Sequence, residues 1–227
     1  MIAETQGIVL NYIKYKETSI IVKIYTQKFG LKSFIVNGIR SKKAKRSIGL
    51  FQPLTLLEIQ LYYYENRELL RLSDAKISQA TPVISQNIIK STLALFVTEV
   101  LGKTLTHEHH ENNQLYQFLR DSVLILDALE KNIEDFHLLF LIEYSVFLGL
   151  DLMDPKQIEL VQLSNSEKDY LELLISYSFD DLNTLQTSLI SGSSRKACLE
   201  AILSYFNHHL GNMIEIKSLK VLHRIFH

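Results

Sequence analysis

Between Thr5 and Ser78 apolar residues alternate with polar ones in short runs rich in β-branched and aromatic types, at 7–12, 19–26, 31–39, 54–62 and 69–77. Successive side chains of an extended chain point to opposite faces, so this pattern predicts five strands. In the second run Ile20, Val22 and Ile24 take a dry face, while Ile21, Lys23 and Tyr25 share the other, which carries a cation and a ring. Gly30 and Asn37-Gly38 mark turns. At Thr81-Pro82 a capping residue precedes proline in the first helical position, and the period becomes helical. Ile89, Leu93, Phe96 and Val100 form one stripe, and Leu115, Leu119, Ser122, Leu126 and Leu129 a second. Residues 136–150 are apolar nearly all round apart from Glu143, which predicts a central helix stopped by Gly149 and Asp154-Pro155. Further helical patterns run over 166–176, 181–190, 193–210, closed by Gly211, and 215–226.

Five short strands in the first 80 residues fit a compact antiparallel barrel, for which the oligonucleotide/oligosaccharide-binding (OB) fold is the commonest solution. The expectation is therefore an α+β chain of two domains, an OB barrel over 1–80 and an all-helical domain over 81–227. No internal repeat or low-complexity tract interrupts them. No apolar run reaches the roughly 18 uncharged residues of a membrane span, and Met1 to Leu10 lacks the basic flank and cleavage site of a signal peptide, which places the chain in the cytoplasm. Cys198 is the single cysteine of 227 residues, so no internal disulfide and no zinc site built from cysteines is available.

The near-zero net charge conceals a division. Residues 1–80 carry 13 Lys+Arg against 6 Asp+Glu, and residues 81–227 carry 11 against 19. Within 14–46 there are ten basic side chains and one acidic, Glu17, which marks a polyanion surface. Its densest part is the stretch between two strands that holds Arg40, Lys42, Lys43, Lys45 and Arg46. Lys14, Lys16, Lys23, Lys28 and Lys32 come from the same barrel, interleaved with Tyr12, Tyr15, Tyr25 and Phe34. Cations neutralise phosphates and ring faces stack on unpaired bases, a combination suited to single strands. The run Tyr62-Tyr63-Tyr64 fits a strand end that completes the barrel core or covers an edge, with a stacking platform as the alternative.

Enzyme signatures fail on spacing. Gly102-Lys103-Thr104 ends like a P-loop, but Val97 occupies the place of the earlier glycine. In His107-Glu108-His109-His110 the fourth position after His107 is Glu111, so the zinc-protease pattern is absent and a polar interhelical turn explains the cluster more simply. His208-His209 suits the negative end of a helix before Gly211, and Cys198 reads as a small core residue. No catalytic constellation and no cofactor are expected. At the end of the chain, Lys217, Lys220, His223 and Arg224 lie on a helix whose Leu219, Leu222 and Phe226 either line a basic-rimmed groove for an acidic peptide or dock the helix on the core.

Gly7-Ile8-Val9-Leu10, Tyr15-Lys16-Glu17-Thr18-Ser19, Tyr25-Thr26, Gly30, Gly38-Ile39-Arg40 and Gln52-Pro53-Leu54 together resemble the N-terminal signature of the RecO family of bacterial recombination mediators. Lys217-Ser218-Leu219-Lys220-Val221-Leu222 resembles that family's closing helix. The resemblance implies a non-enzymatic, nucleoid-associated protein. Such a protein binds single- and double-stranded DNA, anneals complementary strands, works with RecR, and helps load RecA onto DNA coated by single-stranded DNA-binding protein (SSB). It assigns DNA contact to Arg40, Lys42, Lys43, Lys45 and Arg46; Lys14, Lys23, Lys32, Tyr15 and Tyr25 join them from the composition of the barrel. It also implies contact of the acidic SSB tail with the helical domain, for which Lys217, Lys220 and Arg224 are the candidates. Many members carry a four-cysteine zinc module after the turn equivalent to Gly149–Pro155; this sequence has no cysteine there, so zinc is not expected. An OB-fold adaptor that contacts acidic proteins or structured RNA is the alternative, and a metal-dependent hydrolase built on His107 a remote third.

Overall fold

The computed structural model describes residues 2–41, 47–64, 67, 69–106, 108, 110–154, 157, 163–184, 190–211 and 215–226. Five strands, β1 (Ile2–Tyr15), β2 (Ser19–Thr26), β3 (Gly30–Val36), β4 (Leu56–Tyr62) and β5 (Leu69–Gln79), close into a barrel in the order β1-β2-β3-β5-β4. This is the OB architecture, with β1 pairing β2 through its C-terminal half and β4 through its N-terminal half. A rung followed from Ile13 through Ile21, Ile35, Arg71 and Tyr62 returns to β1 at Ile2, eleven residues away, the stagger that closing a small barrel demands. β1 is longer than its alternating core, 7–12, because its ends pair with strands on both sides.

A bulge in β1 between Val9 and Asn11 lets neighbouring side chains serve two cores. Val9 points into the barrel with Ile20, Val22, Ile24, Phe34, Leu57, Ile59 and Leu61, all buried. Ile8 and Leu10 join a second cluster that continues through the helices. That cluster also takes Tyr25, Leu31, Leu54 and Leu56 from the strands and loops, so the barrel and the helices share one core although strands give way to helices at 80–81.

The helices are α1 (Pro82–Gln86), α2 (Ile88–Thr104), α3 (Asn113–Ala128), α4 (Phe136–Phe147), α5 (Asn165–Ile175), α6 (Gly192–Leu210) and α7 (Leu219–Phe226). Thr81-Pro82 opens only α1; the long helix starts afresh where the Asn87 side chain accepts from the Ile89 and Lys90 amides. Both predicted stripes face inward, and α4, apolar nearly all round, is buried along most of its length. Gly149 and Gly211 end their segments with φ of 72° and 67°. The pattern over 181–190 forms a 3-10 turn at Phe179–Thr184, its remainder up to 189 lying outside the described residues.

Hydrogen bonds stitch the junction between barrel and helices. The Leu31 amide donates to the Glu108 carbonyl (2.7 Å), Gln27 Nε2 to Asn113 Oδ1 (3.0 Å) and Arg120 Nη2 to Gln79 Oε1 (3.1 Å). The turn holding Glu108 and His110 therefore packs against the β2–β3 turn; His107 and His109 lie outside the described residues. Among the described residues no group of three or more His, Cys, Asp or Glu could hold a metal, and no helix is long and apolar enough to cross a membrane.

Candidate nucleic-acid interface

The β1–β2 hairpin ends in a tight turn at Lys16, whose backbone sits at φ 50°. Lys16 Nζ lies 5.4 Å from the centre of the Tyr15 ring, a cation–π contact at the tip. Arg40 arrives from beyond β3 and is fixed to the same tip: its amide donates to the Thr18 carbonyl (3.0 Å) and its Nη1 to the Lys16 carbonyl (3.4 Å). Ser19 Oγ to Asn37 Oδ1 (3.0 Å) ties the two segments together below. Lys14 is one residue inside the hairpin end, exposed like Lys16 and Arg40. The fold thus brings Lys14, Tyr15, Lys16 and Arg40 together at one end of the barrel. Lys42, Lys43, Lys45 and Arg46 lie outside the described residues.

The other predicted contacts do not join that group. Lys23 pairs with Asn11 and Ser33 on the outer wall, and Lys32 pairs with Ile24 near the opposite end. Lys32 is half-buried, and burial lowers the pKa of its ammonium, so it holds its charge less firmly than a solvated lysine.

Tyr25 requires correction. It occupies the expected outer face of β2, but the helices cover that end of the strand and the ring is fully buried. It cannot stack on a base. Phe34 fills the barrel interior and Tyr12 packs against it. What the wall offers across β1–β3 is aliphatic: Ile13 (60% exposed), Ile21 and Ile35 form one rung, continued by Arg71 and Tyr62, and Leu69 (40% exposed) ends the next, beside Lys23.

Rings reach solvent at the two turns. Besides Tyr15, the β4–β5 turn carries Tyr64 with the Arg67 guanidinium 4.6 Å from its centre, and on the adjoining strands Tyr62 of β4 pairs with Arg71 of β5, whose guanidinium lies 5.8 Å from the ring. Tyr63, between them, stacks on Phe29 of the β2–β3 turn (4.4 Å) and packs on the barrel core. The triple-tyrosine run is therefore divided, with only its middle ring fully committed to the barrel. The signal for the pairs was present in the sequence as Arg67 and Arg71 following three tyrosines across a turn.

The family model described as "Recombination protein O N terminal" matches residues 1–81, the barrel itself. Over nearly the whole chain, the sequence is 35% identical to a DNA repair protein RecO of Bacteroides fragilis, covering 100% of both, and 32% identical to one of Flavobacterium psychrophilum, covering 98% of both. The chain belongs to the RecO family. The tail site expected on the last helix rested on that helix's own basic and apolar residues, and here the structure of this RecO-family chain departs from the groove reading. Leu222 of α7 is buried and Leu219 and Phe226 pack on the same core, Phe226 stacking on His137 (5.8 Å). Those apolar residues dock the helix and do not line an open groove. Lys217, Lys220 and Arg224 remain exposed around it.

The N-terminus of α7 is held by a residue the sequence reading missed. Glu99 of α2 accepts from the Lys217 amide (2.9 Å), the Ser218 amide (2.8 Å) and the Ser218 hydroxyl (2.6 Å). Burial raises the Glu99 pKa, but these bonds and nearby Lys103 outweigh it and hold the carboxyl below its ordinary range.

Proposed function

We propose that this RecO-family chain is a DNA repair and recombination mediator whose barrel grips DNA through phosphate. The observation that carries the reading is the convergence of Lys14, Lys16 and Arg40 at the β1–β2 tip, where Arg40 is hydrogen-bonded to the Lys16 and Thr18 carbonyls, on a half of the chain with 13 basic and 6 acidic residues. Lys42, Lys43, Lys45 and Arg46 follow Arg40 closely in the sequence and are proposed to share the contact. Holding two strands by phosphate lowers their mutual repulsion and raises their effective concentration, while weak base contacts leave them free to pair. Annealing then needs no active site and no cofactor. The acidic helical half takes protein partners: RecR, and the SSB tail by charge through Lys217, Lys220 and Arg224. RecA loading follows indirectly when SSB is displaced.

The test is the salt dependence of oligonucleotide binding. If Arg40, Lys42, Lys43, Lys45 and Arg46 each neutralise one phosphate of a single strand, log affinity carries about −3.5 of slope against log salt from them, roughly a hundredfold between ~50 and ~200 mM. Replacing all five by alanine removes that slope. Unchanged affinity and salt response in the variant would take the segment out of the site.

The aliphatic rung of Ile13, Ile21 and Ile35 favours a second reading, an adaptor whose barrel wall contacts proteins, because such side chains offer neither ring faces nor hydrogen bonds to a base. The chain has no tryptophan, so its tyrosine fluorescence is directly readable. Quenching by oligothymidine supports the DNA reading, and no quenching at low salt supports the adaptor.

A further inference from the structure

We propose that the β4–β5 turn is a stacking subsite for unpaired nucleobases, with Tyr64 as the platform and Arg67 as its cationic backing, supported by Tyr62 and Arg71. The proposal rests on the reading of the barrel as a DNA-binding module and adds to it a contact with the base.

Among the described residues Tyr64 is the most exposed Phe or Tyr ring, 49% accessible. Its position is built. The Arg67 amide donates to the Tyr64 carbonyl (3.2 Å), and the Arg67 guanidinium lies 4.6 Å from the Tyr64 ring centre. A guanidinium on one face holds the ring flat against it, leaves the other face for a planar ligand, and supplies charge for the neighbouring phosphate. The ring has no retreat inward, because Tyr63 already occupies the adjoining barrel position, stacked on Phe29 at 4.4 Å with 21° between planes.

The strand wall cannot do this work. Away from Tyr62 and Arg71 at the end nearest the β4–β5 turn, its rungs offer Ile13, Ile21, Ile35 and Leu69, and Tyr25 is sealed beneath helices. Base contact therefore falls to the turns, with Lys23 and Arg71 on the wall between them to meet phosphate. Stacked, paired bases in a duplex have no free face for Tyr64, so the subsite favours single strands.

The experiment uses the full chain and compares binding of a short oligothymidine with that of an abasic strand of equal length at one salt concentration. The wild type should prefer the base-bearing strand by about tenfold, the effect of one stacked base. Tyr64→Ala should cut that ratio to about twofold or less while leaving the abasic affinity and the salt slope unchanged, and Tyr64→Phe should keep it. A Tyr64→Ala chain retaining the wild-type ratio overturns the subsite, as does a wild type that binds both strands equally; in either case the electrostatic reading stands. A wild type that binds neither strand overturns both.

Discussion

Tyr25 sits beneath the helices with no hydrogen-bond partner for its hydroxyl among the described residues. Burial, reinforced by the Glu108 carboxylate, pushes its ionisation well above the ordinary phenol range, so it stays a neutral, unsatisfied donor. Such a group costs on the order of 1–3 kcal/mol. Tyr25→Phe should therefore stabilise the chain by about 1 kcal/mol in urea unfolding and leave oligonucleotide binding unchanged; weakened binding would return the residue to the interface. Alternation along β2 identified the correct face for this ring but could not identify what covers it, because the cover comes from helices that follow the barrel in the sequence. At Tyr62-Tyr63-Tyr64 core cover and a stacking platform both stayed open, because the strand ends there and parity stops being a guide. There the exposed ring is recognisable only once Arg67 and Phe29 are in place beside the run.

At the scale of elements, local signals served best where the element makes its own boundary. The buried stripe of α3, the apolar α4 and the glycine at the end of α6 all read directly from spacing. α7 did not, since its start is set by Glu99, more than a hundred residues away, acting as a cap in trans. A carboxyl whose folded pKa is depressed stabilises the fold above its unfolded pKa, and that contribution disappears as pH falls through the lower folded value. Glu99→Gln should thus destabilise the chain by about 1 kcal/mol at neutral pH, as charge-assisted bonds become neutral ones. The difference from wild type should shrink in unfolding curves taken as pH falls below the ordinary glutamate value of about 4.3. A penalty that persists at low pH would mean the bonds depend on shape and not on charge.

For the molecule as a whole, the sequence marked the change from strands to helices but not that one core crosses it. The crossing is visible at Gly30, where φ is 63° and an added Cβ would lie 2.2 Å from the Glu108 carbonyl oxygen. Gly30→Ala must push that turn off the barrel and should cost on the order of 2–4 kcal/mol. Gly38→Ala, at φ 70° with nothing within 4 Å, meets only backbone strain and should cost about 1 kcal/mol. Equal thermal shifts for the two variants would show that the junction carries little of the stability.

Because that junction joins a half rich in lysine and arginine to one rich in carboxylates, the molecule carries a built-in electrical polarity that ordinary fluctuations of a linker cannot average away. On the proposed DNA reading, a polyanion would draw in one pole and push off the other, so each encounter would be turned barrel-first before any atom touches. Copies settling along a strand would then stand like bristles, acidic ends outward, spacing themselves by mutual repulsion while presenting the same side to whatever arrives next.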